Sequence, residues 1–265
     1  MNIMTHVKDP INDTPPVEIP LRDPPLIRVL AQISFPPILS VEDKKFIAPF
    51  QEAIRHRYPN AYPEQTQGFF MGPLGPSLVG NQTAWRFTDA EGKWRISLTP
   101  NFISLEAIIY ESRKDFLSRL QEITEALKKH LDPQICARIG LRYVSRLTGK
   151  PLEQVNSLIR PEMLGIQNTS IANYADLALS QAQFDVQKDK LLVRWGRLPA
   201  NATTDPSTIE PINEPSWIFD LDMSTVGTQS FDVDYILKET ENFASRIYTF
   251  FRWTITDDFL TLYKK

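Results

Sequence analysis

The sequence predicts an α+β fold: a large, mostly antiparallel sheet carrying helices on one face. Three observations carry that expectation. Short runs in which apolar and polar residues alternate recur along the chain, the period-2 pattern of half-buried strands. Between them stand stretches with apolar residues three or four positions apart, as amphipathic helices require. The elements also come twice in one order, strand, helix, three or four strands, helix, which predicts two similar halves.

Each element has its own warrant. Residues 1–25 hold six prolines, which remove backbone donors and favour extended chain, so this stretch reads as an arm, mobile or pinned to the surface. Over 27–35, Ile27, Val29, Ala31, Ile33 and Phe35 share one side of a strand. Ser40 with Asp43 resembles a capping box, and Phe46, Phe50, Ile54 and Tyr58 fall four apart on the helix it opens. Pro49 predicts a kink there or a later start. Strands follow near 66–71, 83–88, 93–99 and 102–110, with Gly- and Pro-rich 71–82 as a loop and Glu91-Gly92 as a turn. Ser112 and Asp115 open a second helix with Phe116, Leu120, Ile123, Leu127 and Leu131 inward, ending at Asp132-Pro133.

The second half repeats this with a strand at 134–147 and a helix at 151–163 bearing Leu152, Val155, Ile159 and Met163. Strands near 177–187, 190–198 and 216–224 follow, with a polar, four-proline loop at 199–215. A helix at 233–252 carries Ile236, Phe243, Ile247 and Phe250 on one face, and Thr256-Asp257-Asp258 caps a last short helix. The expected organisation is a Pro-rich arm over 1–25 and a single α+β domain over 26–265, made of the halves 26–133 and 134–265. This order of elements resembles TATA-binding-protein-like and helix-grip folds, whose sheet grips helices on one face and leaves the other open or free to bind.

Composition narrows the classes. With 265 residues, 42% of them apolar, the chain buries a core without disulfides or a structural metal. No apolar run approaches the roughly 18–20 residues of a membrane span, and the N-terminal stretch lacks a signal-peptide core. A lone cysteine, Cys136, fits a reducing compartment, so a cytoplasmic location without membrane attachment is expected. The net charge of −3 argues against a polyanion binder as a whole. Residues 1–150 hold 19 Lys+Arg against 16 Asp+Glu, and 151–265 hold 10 against 16, which gives the surface two poles.

The segment Ala137–Arg146 carries the sharpest candidate. On a strand, Arg138, Gly140, Arg142, Val144 and Arg146 share a face. Arginines at alternate positions repel unless carboxylates or a bound anion lie between them, and planar guanidinium groups suit carboxylate or phosphate. Gly140 would leave a gap there. Two readings stand: internal pairing with Glu106, Asp220 or Asp222, or an anion or nucleic-acid site formed by Arg138, Arg142 and Arg146. Asp220 and Asp222 point the same way on an alternating strand, as a metal-binding carboxylate pair does, but the Gly-Ser turn of nucleotidyltransferases is missing upstream.

No zinc spacing links His6, His56, His130 and Cys136, and no phosphate loop, dinucleotide fingerprint or nucleophile elbow is present. Neither a catalytic residue, a metal nor a cofactor is therefore expected. Trp beside Arg at Trp85-Arg86, Trp94-Arg95, Arg194-Trp195 and Arg252-Trp253 could stack single strands, but strand parity alone puts one residue in and its neighbour out.

The string RIGLRY (138–143) behind an amphipathic helix resembles a sporadically distributed bacterial and archaeal family of unassigned function. The opening PPLIRVLAQISF, the Trp-x-Phe strand, the SLEAIIY strand and the late FDLD strand match as well, over about residues 24–265. Ser145 stands where that pattern has Asn, and Arg28 where it has an acid. The resemblance implies no catalytic residues, and its patchy distribution implies mobile or defence-associated loci. The expectation is then a non-enzymatic binding protein acting through a protein partner, in a defence or toxin–antitoxin-like locus, with a homodimer as one form. The alternatives are an anion- or nucleic-acid-binding module on the arginine strand, which is not favoured, and a divalent-metal nucleotide enzyme using Asp220 and Asp222.

Overall fold

The computed structural model describes residues 7–72 and 75–264, with the backbone alone for 66–72 and 75–82. Strand β1 (Leu26–Ser34) leads to helix α1 (Lys44–Ile54), and β2 (Asn60–Gly72), β3 (Gly75–Thr88), β4 (Trp94–Thr99) and β5 (Phe102–Ala107) follow as antiparallel hairpins before α2 (Arg113–Leu131). Then come β6 (Ile135–Cys136), β7 (Arg138–Leu147) and three short helices, α3 (Gly149–Glu153), α4 (Val155–Leu158) and α5 (Pro161–Leu164). Strands β8 (Ala178–Val186), β9 (Asp189–Leu198), β10 (Ser216–Ser224) and β11 (Gln229–Ser230) precede α6 (Val233–Thr254) and α7 (Asp257–Tyr263). Nine strands form one sheet in the order β2-β3-β4-β5-β1-β7-β10-β9-β8, and β6 pairs with β11 apart from it. The fold is α+β with a large antiparallel sheet.

Two compact units interleave along the chain: Met1–Val29, Leu141–Ser224 and Asn242–Lys265 form one, Leu30–Gly140 and Thr225–Glu241 the other. In the second unit, Trp85 faces Leu98 and Phe87 faces Ile96 across β3 and β4, so these apolar groups share one side of the strands. Helix α1 brings the Phe50 ring to 5.5 Å from Phe87, and α2 brings Phe116 to 5.9 Å from Trp94. The Ser112 hydroxyl starts α2 by accepting from Asp115 N at 3.1 Å, which satisfies one of the free N–H groups of its first turn. The opposite side of these strands is polar, with Arg86 on Glu64 and Ser97, and Arg95 on Glu106.

In the first unit, β8, β9 and β10 form a meander. One face presents Phe184 and Phe219 to Phe250 of α6 at 5.5 and 6.3 Å, and Trp253 stands against Phe250 at 5.4 Å. On the other face Val144, Leu198 and Ile218 are covered by Ile209 of the 199–215 loop, forming a small second core. The described part of the arm, 7–25, is fastened at several points. Arg246 donates to the Asp13 carbonyl at 2.9 Å, Ile19 N donates to the Tyr248 hydroxyl at 2.8 Å, and Leu21 bridges to Lys264.

Several boundaries differ from expectation. The backbone of 71–72 and 75–82 is paired strand, not loop, although residues 73 and 74 lie outside the described residues. Strand β4 pairs only with Trp85–Thr88 of β3, so the rest of this hairpin is a two-stranded ribbon where Gly and Pro break no further ladder. The helix expected over 151–163 is three short pieces. Pro161 cannot donate, and it holds the preceding Arg160 extended at ψ 135°. Helix α1 is capped by Asp43, not Ser40, and Ile47 replaces Phe46 on its buried face. The expected 134–147 strand is split, because 135–136 pair with β11.

Candidate functional site

The arginine strand lies in β7, and its centre is Arg142. Its Nε and Nη2 donate to the two Asp220 carboxylate oxygens at 2.7 and 2.8 Å, a bidentate grip. Its Nη1 donates to Asp205 Oδ2 at 2.7 Å and to Thr208 Oγ1 at 3.3 Å. Asp220 stands opposite Arg194 in the β9–β10 register and accepts a third bond from Arg194 Nη1 at 3.1 Å. Arg194 Nε in turn donates to Gln181 on β8 at 3.0 Å. Asp220 is fully buried and Arg142 nearly so, and a buried charge is tolerated only when its partners are in place. Burial opposes the Arg142 charge, but hydrogen bonds and attraction from Asp220 and then Asp205 outweigh it and hold the guanidinium above its ordinary value.

The 199–215 loop supplies the second acid. Asp205 Oδ1 accepts from Ser207 N at 3.2 Å and from Ser207 Oγ at 2.6 Å, while the Thr203 hydroxyl donates to the Ile209 carbonyl at 2.5 Å. The loop is thereby folded on itself before it touches the sheet. Burial pushes the Asp205 carboxyl up, but bonds from Ser207 and Arg142 win and bring it down to about 2. The polar loop is thus clasped to the sheet face by an ion pair at Arg142 and by Ile209 in the small core.

The other candidates separate. Arg138 folds back over Gly140, where an added β-carbon would strike its guanidinium, so the gap expected at Gly140 is filled by the chain itself. Arg146 Nη2 donates to the Glu210 carbonyl at 2.7 Å, and Arg28 Nη2 lies 3.6 Å from the Glu210 carboxylate. Burial lowers the Arg146 affinity for its proton; Glu210 works against that and Arg28 with it. Glu106 serves Arg95, through bonds of 3.2 and 2.7 Å. Asp222 is more exposed and faces Leu192 in the β10–β9 register. It shares a strand face with Asp220, whose two oxygens already hold two arginines.

Among the described residues no group of three or more His, Cys, Asp or Glu could hold a metal ion. Cys136 is buried, and its thiol is pushed up to about 11, chiefly by burial, which leaves it a poor nucleophile near neutrality. His56 Nε2 lies 3.2 Å from Glu122 Oε1.

The feature hidden from the sequence is on the surface. Along 166–179, Ile166, Ile171, Tyr174, Leu177 and Leu179 are all exposed, Tyr174 to 88%. This stretch runs into β8, the last strand of the sheet order, and no other strand pairs with its outer edge among the described residues. Leu179 stands opposite Gly196, whose φ of 134° suits only glycine. A side chain there would meet the Ala178 carbonyl, so Gly196 is what lets β8 close on β9. Apolar residues in irregular 165–177 carry no period, which is why the sequence did not mark them. The loop acids Asp205 and Glu210 were missed because a loop has no parity, although Arg142 and Arg194 together called for a second carboxylate near Asp220.

Compared with protein-family models, with curated proteins and with solved structures, the chain finds no match. No described helix is long and apolar enough to cross a membrane.

Proposed function

We propose that this chain is a non-enzymatic binding protein that acts through a protein partner, engaged by the apolar stretch 166–179 and the adjoining β8 edge. The observation that carries this reading is the set of five large apolar side chains held exposed beside an unpaired strand. Exposed apolar groups gathered in one region mark interaction sites far more often than scattered ones do, and an open strand edge is a template for pairing. The arginine strand offers a phosphate less than its sequence promised, because the Arg142 donors are already spent on Asp220, Asp205 and Thr208. The same bonds argue against a catalytic metal at Asp220. The family resemblance adds the proposal that the partner is encoded in a mobile or defence-associated locus.

The test is a photo-crosslinking amino acid at position 174, with a second at position 17 as control, since Val17 is equally exposed. A discrete protein adduct from 174 and none from 17 is expected. No protein adduct from 174, or nucleic acid captured from a probe at 146, would defeat the reading.

A further inference from the structure

The arm that opens the chain lies on α6 as an extended ligand lies on a receptor. From Lys8 to Pro25 none of its residues is buried, and Val7 alone among its described residues is. Its hold on α6 runs through its backbone. Arg246 Nη1 donates to the Pro10 and Asp13 carbonyls at 3.2 and 2.9 Å. The Tyr248 hydroxyl accepts from Ile19 N at 2.8 Å, lies 3.5 Å from the Val17 carbonyl and has Arg252 Nη1 at 3.5 Å on its other side. Past Leu21, Arg22 N donates to the Tyr263 carbonyl at 2.5 Å. We propose that this outer side of α6 is a binding site for extended, acidic, proline-rich polypeptide, that the arm occupies it in cis, and that a partner's segment of the same chemistry enters by displacing the arm.

Three properties of the arm define that ligand. Arg246 and Tyr248 reach its carbonyls and one amide, so the contact reads main chain, while side chains such as that of Val17 point to solvent at 87% exposure. Pro10, Pro15, Pro16 and Pro20 fall within this stretch. Each lacks an N–H that would need a partner on the helix surface, and each keeps the chain extended before it binds, so less entropy is lost on docking. Between Lys8 and Arg22 every charge is acidic: Asp9, Asp13 and Glu18. Asp9 and Asp13 attract the Arg246 charge, against the burial that weakens its hold on its proton. They also fold the turn that Arg246 grips. Asp13 Oδ2 accepts from Lys8 N and Asp9 N at 2.8 and 2.9 Å, and Asp9 Oδ1 from Ile11 N and Asn12 N at 2.8 and 3.1 Å, which brings the Pro10 and Asp13 carbonyls to one guanidinium.

A site that reads backbone and charge, with one buried side chain at its end, accepts another chain of the same composition. Surface hydrogen bonds of this kind are individually weak. The arm holds its place because it is tethered, which gives it an effective concentration on the order of millimolar. A partner bound elsewhere on the chain tethers its own segment in the same way and competes on equal terms. The site does not use the 166–179 stretch, so it stands or falls independently of the protein-binding reading of that stretch.

The experiment places a nitroxide on Val17→Cys in the full chain and follows its mobility by electron paramagnetic resonance. Cys136 is buried, with its thiol pushed up to about 11, so the label goes to position 17. A slow label is expected in the chain alone. An unlabelled synthetic peptide of residues 7–22 should convert it to a mobile one, with half-release on the order of millimolar peptide. The same peptide with Pro10, Pro15, Pro16 and Pro20 changed to glycine should need at least about tenfold more, because the freer chain loses more entropy on docking. The peptide carrying Asp9→Asn and Asp13→Asn should also be weaker by about tenfold, since it lacks the charges that face Arg246. A label already mobile in the chain alone overturns the proposal, as does one that stays slow at about a hundred millimolar peptide. Release by the glycine or asparagine peptide as readily as by the native one overturns it too, because the site would then select neither proline nor acid.

Discussion

Replacing Arg142 with alanine is the perturbation whose consequence follows most directly from the geometry. The side chain makes two bonds to Asp220, one to Asp205 and one to Thr208. Asp220 has no exposed surface, so its charge cannot be rehydrated in place. Removing one member of a buried ion pair costs about 3–5 kcal/mol, because it leaves the other uncompensated. Arg194 remains 3.1 Å from Asp220 and is partly exposed, which offsets part of that cost and leaves an expected loss of about 2–4 kcal/mol. Urea denaturation with linear extrapolation measures it. Adding Asp220→Asn to Arg142→Ala should cost less than the sum of the single changes, since the stranded charge goes with it. A stability within about 0.5 kcal/mol of wild type for Arg142→Ala would refute the reasoning and reopen this strand as a ligand face.

Three further outcomes are expected. Asp205 is held near 2 when folded against an ordinary value of 3.8, so its contribution is present above about pH 4 and lost as the pH falls from there toward 2. After discounting for partial exposure it is worth about 1 kcal/mol, and Asp205→Asn should remove it and flatten that acid limb in pH-dependent melts; an unchanged limb would show that the clasp contributes nothing. Gly196→Ala forces a side chain into a φ of 134° and against the Ala178 carbonyl, so β8 amides should lose hydrogen-exchange protection with a loss of about 1–3 kcal/mol, and wild-type exchange would contradict that role. Deleting residues 1–22 removes the Arg246 and Tyr248 contacts and buried Val7, so the melting temperature should fall; no change would mean that the arm's contacts add nothing to stability.

The large sheet was legible because period-2 alternation is a local signal. Val29, Ala31 and Ile33 are buried as their parity requires, and the Ser112 and Thr256 caps sit where their side chains predict. Errors fell where a distant partner decides. Residues 75–82 are paired despite Gly and Pro because only one neighbour strand is present there, and 135–136 leave the main sheet because β11 claims them. At the candidate site, parity set Arg142 on one strand face and Asp220 among three acids that could pair with it, and the bidentate bond selects Asp220; parity gave no hint that Asp205 would descend from a polar loop to take the remaining guanidinium donor. Ile166 and Tyr174 of the exposed stretch lie in short 3-10 turns and Ile171 and Leu177 in irregular backbone beside them, where neither period can be read.

If the apolar stretch beside β8 binds a protein while the arginine strand holds the fold, cross-linking at position 174 depends on its apolar neighbours and not on the arginines. The most direct measurement is the yield of the position-174 protein cross-link in two further backgrounds, Leu177→Ser and Arg146→Ala. Losing a buried leucine contact is worth about 1.5–3 kcal/mol, so the yield at limiting partner should fall about tenfold or more with Leu177→Ser and stay unchanged with Arg146→Ala. A yield that survives Leu177→Ser and collapses with Arg146→Ala would contradict the claim and return the function to the arginines.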